Sequence, residues 1–116
     1  MIKEIHDLGD VTVVELSDRV DAVTSPDLKA RLHGLIAEGR TKLVINLRDV
    51  VLVDSSGLGM LVSCLHRCVA AGGELCLAEV PEFARNILEI TRLTRVFRLA
   101  DDEAEAVEAV KRPPGQ

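Results

Sequence analysis

An α/β domain built on a mainly parallel sheet is the fold this chain predicts, and three observations predict it. Apolar stretches with strand character alternate with stretches whose apolar residues recur at helical spacing. One strand segment, Lys42 to Val53, is apolar along most of its length, which suits an interior strand covered on both faces. That strand runs straight into the polar turn Asp54-Ser55-Ser56-Gly57 and on into Leu58, Leu61, Val62 and Leu65, which have helical spacing. About five strands with helices packed against them are expected for such a chain.

The elements follow in order. Ile2 to Leu8 alternates weakly and ends at Gly9-Asp10, a turn signal, before Val11 to Leu16, so the chain should open with a hairpin. Ser17 to Thr24 holds Asp18, Arg19, Asp21 and Thr24 and reads as a polar loop. Ser25, Pro26 and Asp27 mark a helix start, Leu28, Leu32, Leu35 and Ile36 form its apolar stripe, and Gly39 ends it. Asn46, Arg48 and Asp49 interrupt the strand that follows. The helix after Ser55 should stop at Ala70-Ala71-Gly72-Gly73, and Glu74 to Val80 supplies another strand. Pro81 opens a third helix with Phe83, Ile87, Leu88 and Ile90 at core spacing; Val96 to Leu99 is a short last strand. Asp101 to Val110 reads as an acidic helix that docks through Val107 and Val110. Residues 1–110 are thus expected to form one domain and 111–116, with Pro113 and Pro114, a flexible tail.

Composition narrows the function classes. A chain of 116 residues suits one core, not two. Fourteen Lys plus Arg against 19 Asp plus Glu give a net charge of −5, and aromatic residues are 2%, so the basic and stacking surfaces of nucleic-acid binders are missing. No apolar run approaches the roughly 20 residues that cross a bilayer. Lys3, Glu4 and Asp7 do not make a signal peptide, and a cytoplasmic protein with three reduced cysteines is expected.

Catalytic chemistry finds little support. His6, His33 and His66 are far apart, without a His-x-x-x-His or Cys-x-x-Cys pair, so neither metal nor cofactor is expected. On a helix Cys64 and Cys68 share a face from which His66 turns away, and both cysteines should pack as small apolar residues. Ser55 lacks the Gly-x-Ser-x-Gly elbow of a hydrolase and a nearby base, and Gly57-Leu58-Gly59 lacks the Gly-Lys-Ser of a phosphate loop. No catalytic residue is assigned.

The turn itself carries the functional signal. Ser55 or Ser56 can cap the following helix, at the positive end of its dipole. Gly57 and Gly59 leave little side chain over the turn, so that another backbone or protein surface can approach. A serine there is either a cap or a presented site.

The motif Asp54-Ser55-Ser56-Gly57-Leu58-Gly59, after Leu43-Val44-Ile45-Asn46-Leu47 and Val53, resembles the signature of anti-sigma factor antagonists of the STAS domain family. Leu16, Val20, Asp21 and Thr24 before a helix with Leu28 and Leu32, and Gly72-Gly73-Glu74-Leu75 leading to Ala78, are similar too, so the resemblance runs from about Val11 to Leu99.

The resemblance implies a regulatory binding protein. An unphosphorylated antagonist of this kind binds an anti-sigma factor, a GHKL-type serine kinase, and frees a sigma factor for transcription. Phosphorylation breaks the partnership and a PP2C-type phosphatase restores it. Ser55 occupies the phosphorylated position, with Ser56 as its neighbour and cap. Asp21, Thr24, Asp54, Ser56, Gly57 and Leu58 are the implied partner-facing residues. Family members often carry glycine where Asp18 stands and a glycine near Arg92, before the last strand. The family also includes unphosphorylated stressosome scaffolds, an alternative role in stress response, and the tails of anion transporters.

Overall fold

Gly9 turns the chain at φ 66°, a left-handed conformation open to glycine, and so folds strand β1 (Ile2–Leu8) antiparallel onto β2 (Val11–Val20). From there the computed structural model, which describes residues 1–111, alternates helix and strand. The elements are α1 (Ser25–Ala37), β3 (Lys42–Val53), α2 (Ser55–Ala70), β4 (Glu74–Ala78), α3 (Glu82–Ile90), a 3₁₀ turn (Leu93–Arg95), β5 (Arg98–Ala100) and α4 (Glu103–Lys111). The five strands lie in the order β1-β2-β3-β4-β5, with β2 to β5 parallel, so the sheet is mixed and mostly parallel as expected.

Alternation along the strands divides the core in two. Val14, Leu16, Leu43, Ile45, Leu47, Leu75 and Leu77 face α1, α2 and α3, which bury Leu28, Leu32, Ile36, Leu61, Leu65 and Leu88 against them. Val11, Val13, Val44, Cys76 and Ala78 face α4, which contributes Ala106, Val107 and Val110. The thiols of Cys64, Cys68 and Cys76 are free, buried, and pushed by that burial up to about 11, 12 and 11 respectively, so they pack as small apolar groups.

Several element bounds depart from the sequence reading, each for a tertiary reason. Strand β2 continues through the supposed loop to Val20, because Asp18 and Arg19 pair with Val50 and Leu52 of β3. β3 is covered on both faces only over its first half: β4 pairs with Lys42 to Asn46 and then stops, leaving Arg48, Asp49, Val51 and Leu52 exposed. Helix α3 buries Ala84 and Leu88, while Phe83 and Ile90 face outward. The last strand lies at Arg98–Ala100, not Val96–Leu99, since Leu93 to Arg95 coils into the 3₁₀ turn. Lys111 closes α4, and the rest of the predicted tail, residues 112–116, lies outside the described residues.

Asp18, where the resemblance leads one to expect glycine, and Arg92, near which it does, adopt φ 67° and 62°. Both sit in the left-handed region, which costs an L-residue roughly 1–2 kcal/mol and glycine little, so glycine would adopt either backbone with less strain.

Candidate functional site

The carboxyl ends of β2 and β3 lie side by side, Val20 opposite Val53, and the chain leaves each strand into a helix. Asp54, not either serine, caps α2. Its Oδ1 accepts from the Gly57 N–H at 2.9 Å and its Oδ2 from the Ala22 N–H at 3.1 Å, while its own N–H donates to the Val20 carbonyl at 3.2 Å. One carboxylate thus satisfies the helix start and ties it to the neighbouring loop, a charge-assisted arrangement stronger than a hydroxyl cap. The hydroxyls of Ser55 and Ser56 are released: both residues are exposed, and neither side chain has a hydrogen-bond partner among the described residues.

The two glycines of the motif do different things. Gly57 is buried, and a Cβ there would stand 2.1 Å from the Val20 carbonyl oxygen, so it lets this chain's own backbone close in. Gly59 is exposed with open space around it, a bare position in the first turns of α2.

The adjoining loop is held by its own side chains. Asp21, 7% exposed, accepts at Oδ1 from the N–H groups of Val23 (3.0 Å) and Thr24 (3.1 Å). Thr24 Oγ1 accepts from the Asp21 N–H at 3.0 Å and donates to the Arg19 carbonyl at 2.9 Å. These donors, the Thr24 N–H above all, hold the Asp21 carboxyl below the usual carboxylate range. Asp21 and Thr24 therefore shape the loop, and its tip presents Val23, 85% exposed. Between α1 and α2 an open groove of about 500 Å³ is lined by Ala22, Ser25, Pro26, Lys29, Ser56 and Met60, among others.

The structure brings Asp21, Thr24, Asp54, Ser55 and Ser56 to one end of the sheet; Gly57 lies beneath them and half-buried Leu58 packs on the core. Exposed Val23, Val51 and Leu52 were not singled out from the sequence. Their signal was there, since three apolar residues flank a polar turn, but a strand reading placed Val51 and Leu52 inside. His33 Nε2 lies 3.1 Å from Ser63 Oγ, not from Ser55, and burial lowers its basicity.

The structure puts an aspartate cap where the resemblance implied Ser56 as the cap, and comparison with known proteins decides the family. The family profile for the STAS domain matches residues 3–106. The chain belongs to the STAS domain family. Its relatives include the anti-sigma-B factor antagonist of Bacillus subtilis, 30% identical over 75% of this chain and 79% of that one. Another is a Thermotoga maritima protein provisionally named as an anti-sigma factor antagonist, 33% identical over 65% of this chain. The chain spans 66% of that relative's length, just under two thirds. Among solved structures, a T. maritima protein likewise provisionally named superposes with a TM-score of 0.89 at 25% identity, covering 94% of each chain. The phosphorylated form of the Bacillus cell-fate determinant SpoIIAA shares the STAS fold at 21% identity and a TM-score of 0.71, covering 92% of this chain and 97% of that one. Among the described residues of this STAS domain, no helix is long and apolar enough to cross a membrane.

Proposed function

We propose that this STAS domain is an anti-sigma factor antagonist: unphosphorylated, it binds an anti-sigma factor of the GHKL serine-kinase type and so releases a sigma factor for transcription. Phosphorylation of Ser55 by that kinase ends the complex, and a PP2C-type phosphatase resets it. The chain itself performs no catalytic step and works in the cytoplasm, with residues 1–110 as the binding domain.

One observation carries the reading. Asp54 has taken over the cap, so Ser55 stands exposed and unpartnered at the positive end of α2. Phosphate adds roughly −1.5 to −2 charges at a turn that already holds Asp54. The helix start accommodates that charge in the free protein, so the fold need not change. A partner closing over the turn must desolvate it, and a loss of about 3 kcal/mol of binding free energy weakens affinity more than a hundredfold. The relatives named as anti-sigma factor antagonists support the partner class.

Mass spectrometry after incubation with ATP and each GHKL-type kinase of the source genome tests the switch: one phosphate on Ser55 is expected, and Ser55→Ala should stay unmodified and keep binding. Ser55→Asp should bind more than about tenfold more weakly. Full-strength binding by Ser55→Asp, or tight kinase binding with no phosphate transferred, would overturn the reading. Elution of the chain in large particles would point instead to a scaffold.

A further inference from the structure

The sheet face under α4 holds a group of side chains that partner binding at the Ser55 turn does not use. Glu4 and His6 are two apart on β1 and so share a face, and Glu4 pairs directly with Glu15 on β2. One oxygen from each glutamate and one ring nitrogen of His6 lie within 4.8 Å of one another. His6 Nδ1 is 4.0 Å from Glu4 Oε1 and 4.0 Å from Glu15 Oε2. That nitrogen is shut off from solvent and has no hydrogen-bond partner, an unmet polar atom between two carboxylates.

The far side of the ring is also arranged. His6 Nε2 is 3.6 Å from Glu103 Oε1 at the start of α4. The other Glu103 oxygen accepts at 2.7 Å from Nδ2 of Asn46, which is 3% exposed and also donates to Glu79. A buried amide therefore fixes the carboxylate that faces Nε2. A carboxylate on one ring nitrogen directs the other nitrogen, as a free lone pair, toward a metal ion. Among the described residues no Lys or Arg lies within ion-pair distance of Glu4, Glu15, Glu79 or Glu103.

We propose that Glu4, His6 and Glu15 form a binding site for a first-row divalent cation of the zinc class, with Glu103 as the carboxylate that orients His6. Two carboxylate oxygens and one imidazole nitrogen suit zinc better than calcium or magnesium, which favour all-oxygen sites. Three protein ligands leave room for a water or a partner's side chain in a fourth position. Glu4 is mostly exposed and the His6 side chain 32% exposed, so an ion has a way in. Bound there, it would pin edge strand β1 to β2 and, through Glu103, to α4. This inference does not depend on the function proposed for Ser55.

The test is calorimetric titration of the whole chain, dialysed against chelator, with zinc chloride and in parallel with magnesium chloride, alongside thermal unfolding. Uptake of one zinc ion per chain and a raised Tm are expected, with at least about a hundredfold weaker magnesium binding. His6→Gln should abolish zinc uptake, and Glu103→Gln should weaken it about tenfold, the usual effect of an orienting carboxylate. Glu4→Gln, at an exposed position that cannot endanger the fold, should weaken uptake by at least tenfold. Long-range nitrogen NMR should show the zinc-induced shift on His6 Nδ1. No zinc uptake, uptake unchanged in Glu4→Gln and His6→Gln, or coordination through His33, His66 or a cysteine would overturn the proposal.

Discussion

The face under α1, α2 and α3 and the face under α4 are made by the same strands, yet they carry their polar groups in opposite ways. The first is roofed by helices of 13, 16 and 9 residues, and its polar atoms are pushed to the rim, where Asp21, Thr24 and Asp54 satisfy backbone donors. The second is roofed by the nine residues of α4 alone, and Asn46 and Glu15 remain on the sheet surface beneath it. Burial holds the Glu15 carboxyl above its ordinary range, with Glu4 and Glu103 adding to the effect. Wide cover makes a rigid platform whose rim can present a side chain. Narrow cover leaves charged groups facing one another.

Substitutions that act on one face alone sharpen this contrast. The largest effect is expected from Gly57→Ala, whose Cβ would meet Val20 backbone 2.1 Å away. Backbone cannot yield as a side chain does, and a loss of more than about 3 kcal/mol in urea unfolding is expected. A loss below about 1 kcal/mol would show that β2 and α2 separate easily. Next, Leu61→Ala in α2 should cost about 3 kcal/mol and Val107→Ala in α4 about half as much, from the larger cavity and the fuller burial of Leu61. Equal losses would break the contrast between the faces.

Smaller effects probe the rim. Gly59→Ala has open space and a helical position, so it should raise stability by about 0.5–1 kcal/mol while weakening binding of the proposed anti-sigma factor partner, read by urea unfolding and by titration. Arg92→Gly should relieve left-handed strain and raise stability by up to about 1 kcal/mol. The smallest effect is that of acid. The Asp21 carboxyl is held below its ordinary value in the folded protein, so its contribution is full above about pH 4 and is lost as pH falls through its lower folded value. Unfolding of Asp21→Asn followed from pH 6 down to pH 2 should lack that part of the acid dependence.

Much of this was legible along the chain. Lys42–Val53 and Ser55–Ala70 have the bounds that apolar run and helical spacing predict, and the hairpin turns where Gly9-Asp10 stands. The stripe of α1 buries Leu28, Leu32 and Ile36, as their spacing requires. Ile90 misled because helical spacing names a face without saying how far the neighbouring surface extends, and α3 ends at the rim. The cap misled for a related reason: Asp54, Ser55 and Ser56 are all competent caps, and the choice turns on the Ala22 N–H, 32 residues away in sequence.

What the sequence by itself determined is the order and kind of the elements and the strand-to-helix turn with its Asp-Ser-Ser-Gly motif, because periodicity and capping act between residues a few positions apart. The tertiary structure alone decided which motif glycine is packed and which is open, how far β2 runs, that Ser55 is left free, and that Glu4, His6 and Glu15 meet. Each of these depends on two strands, or a strand and a helix, being laid side by side, and close approach across an element boundary leaves no trace in local spacing.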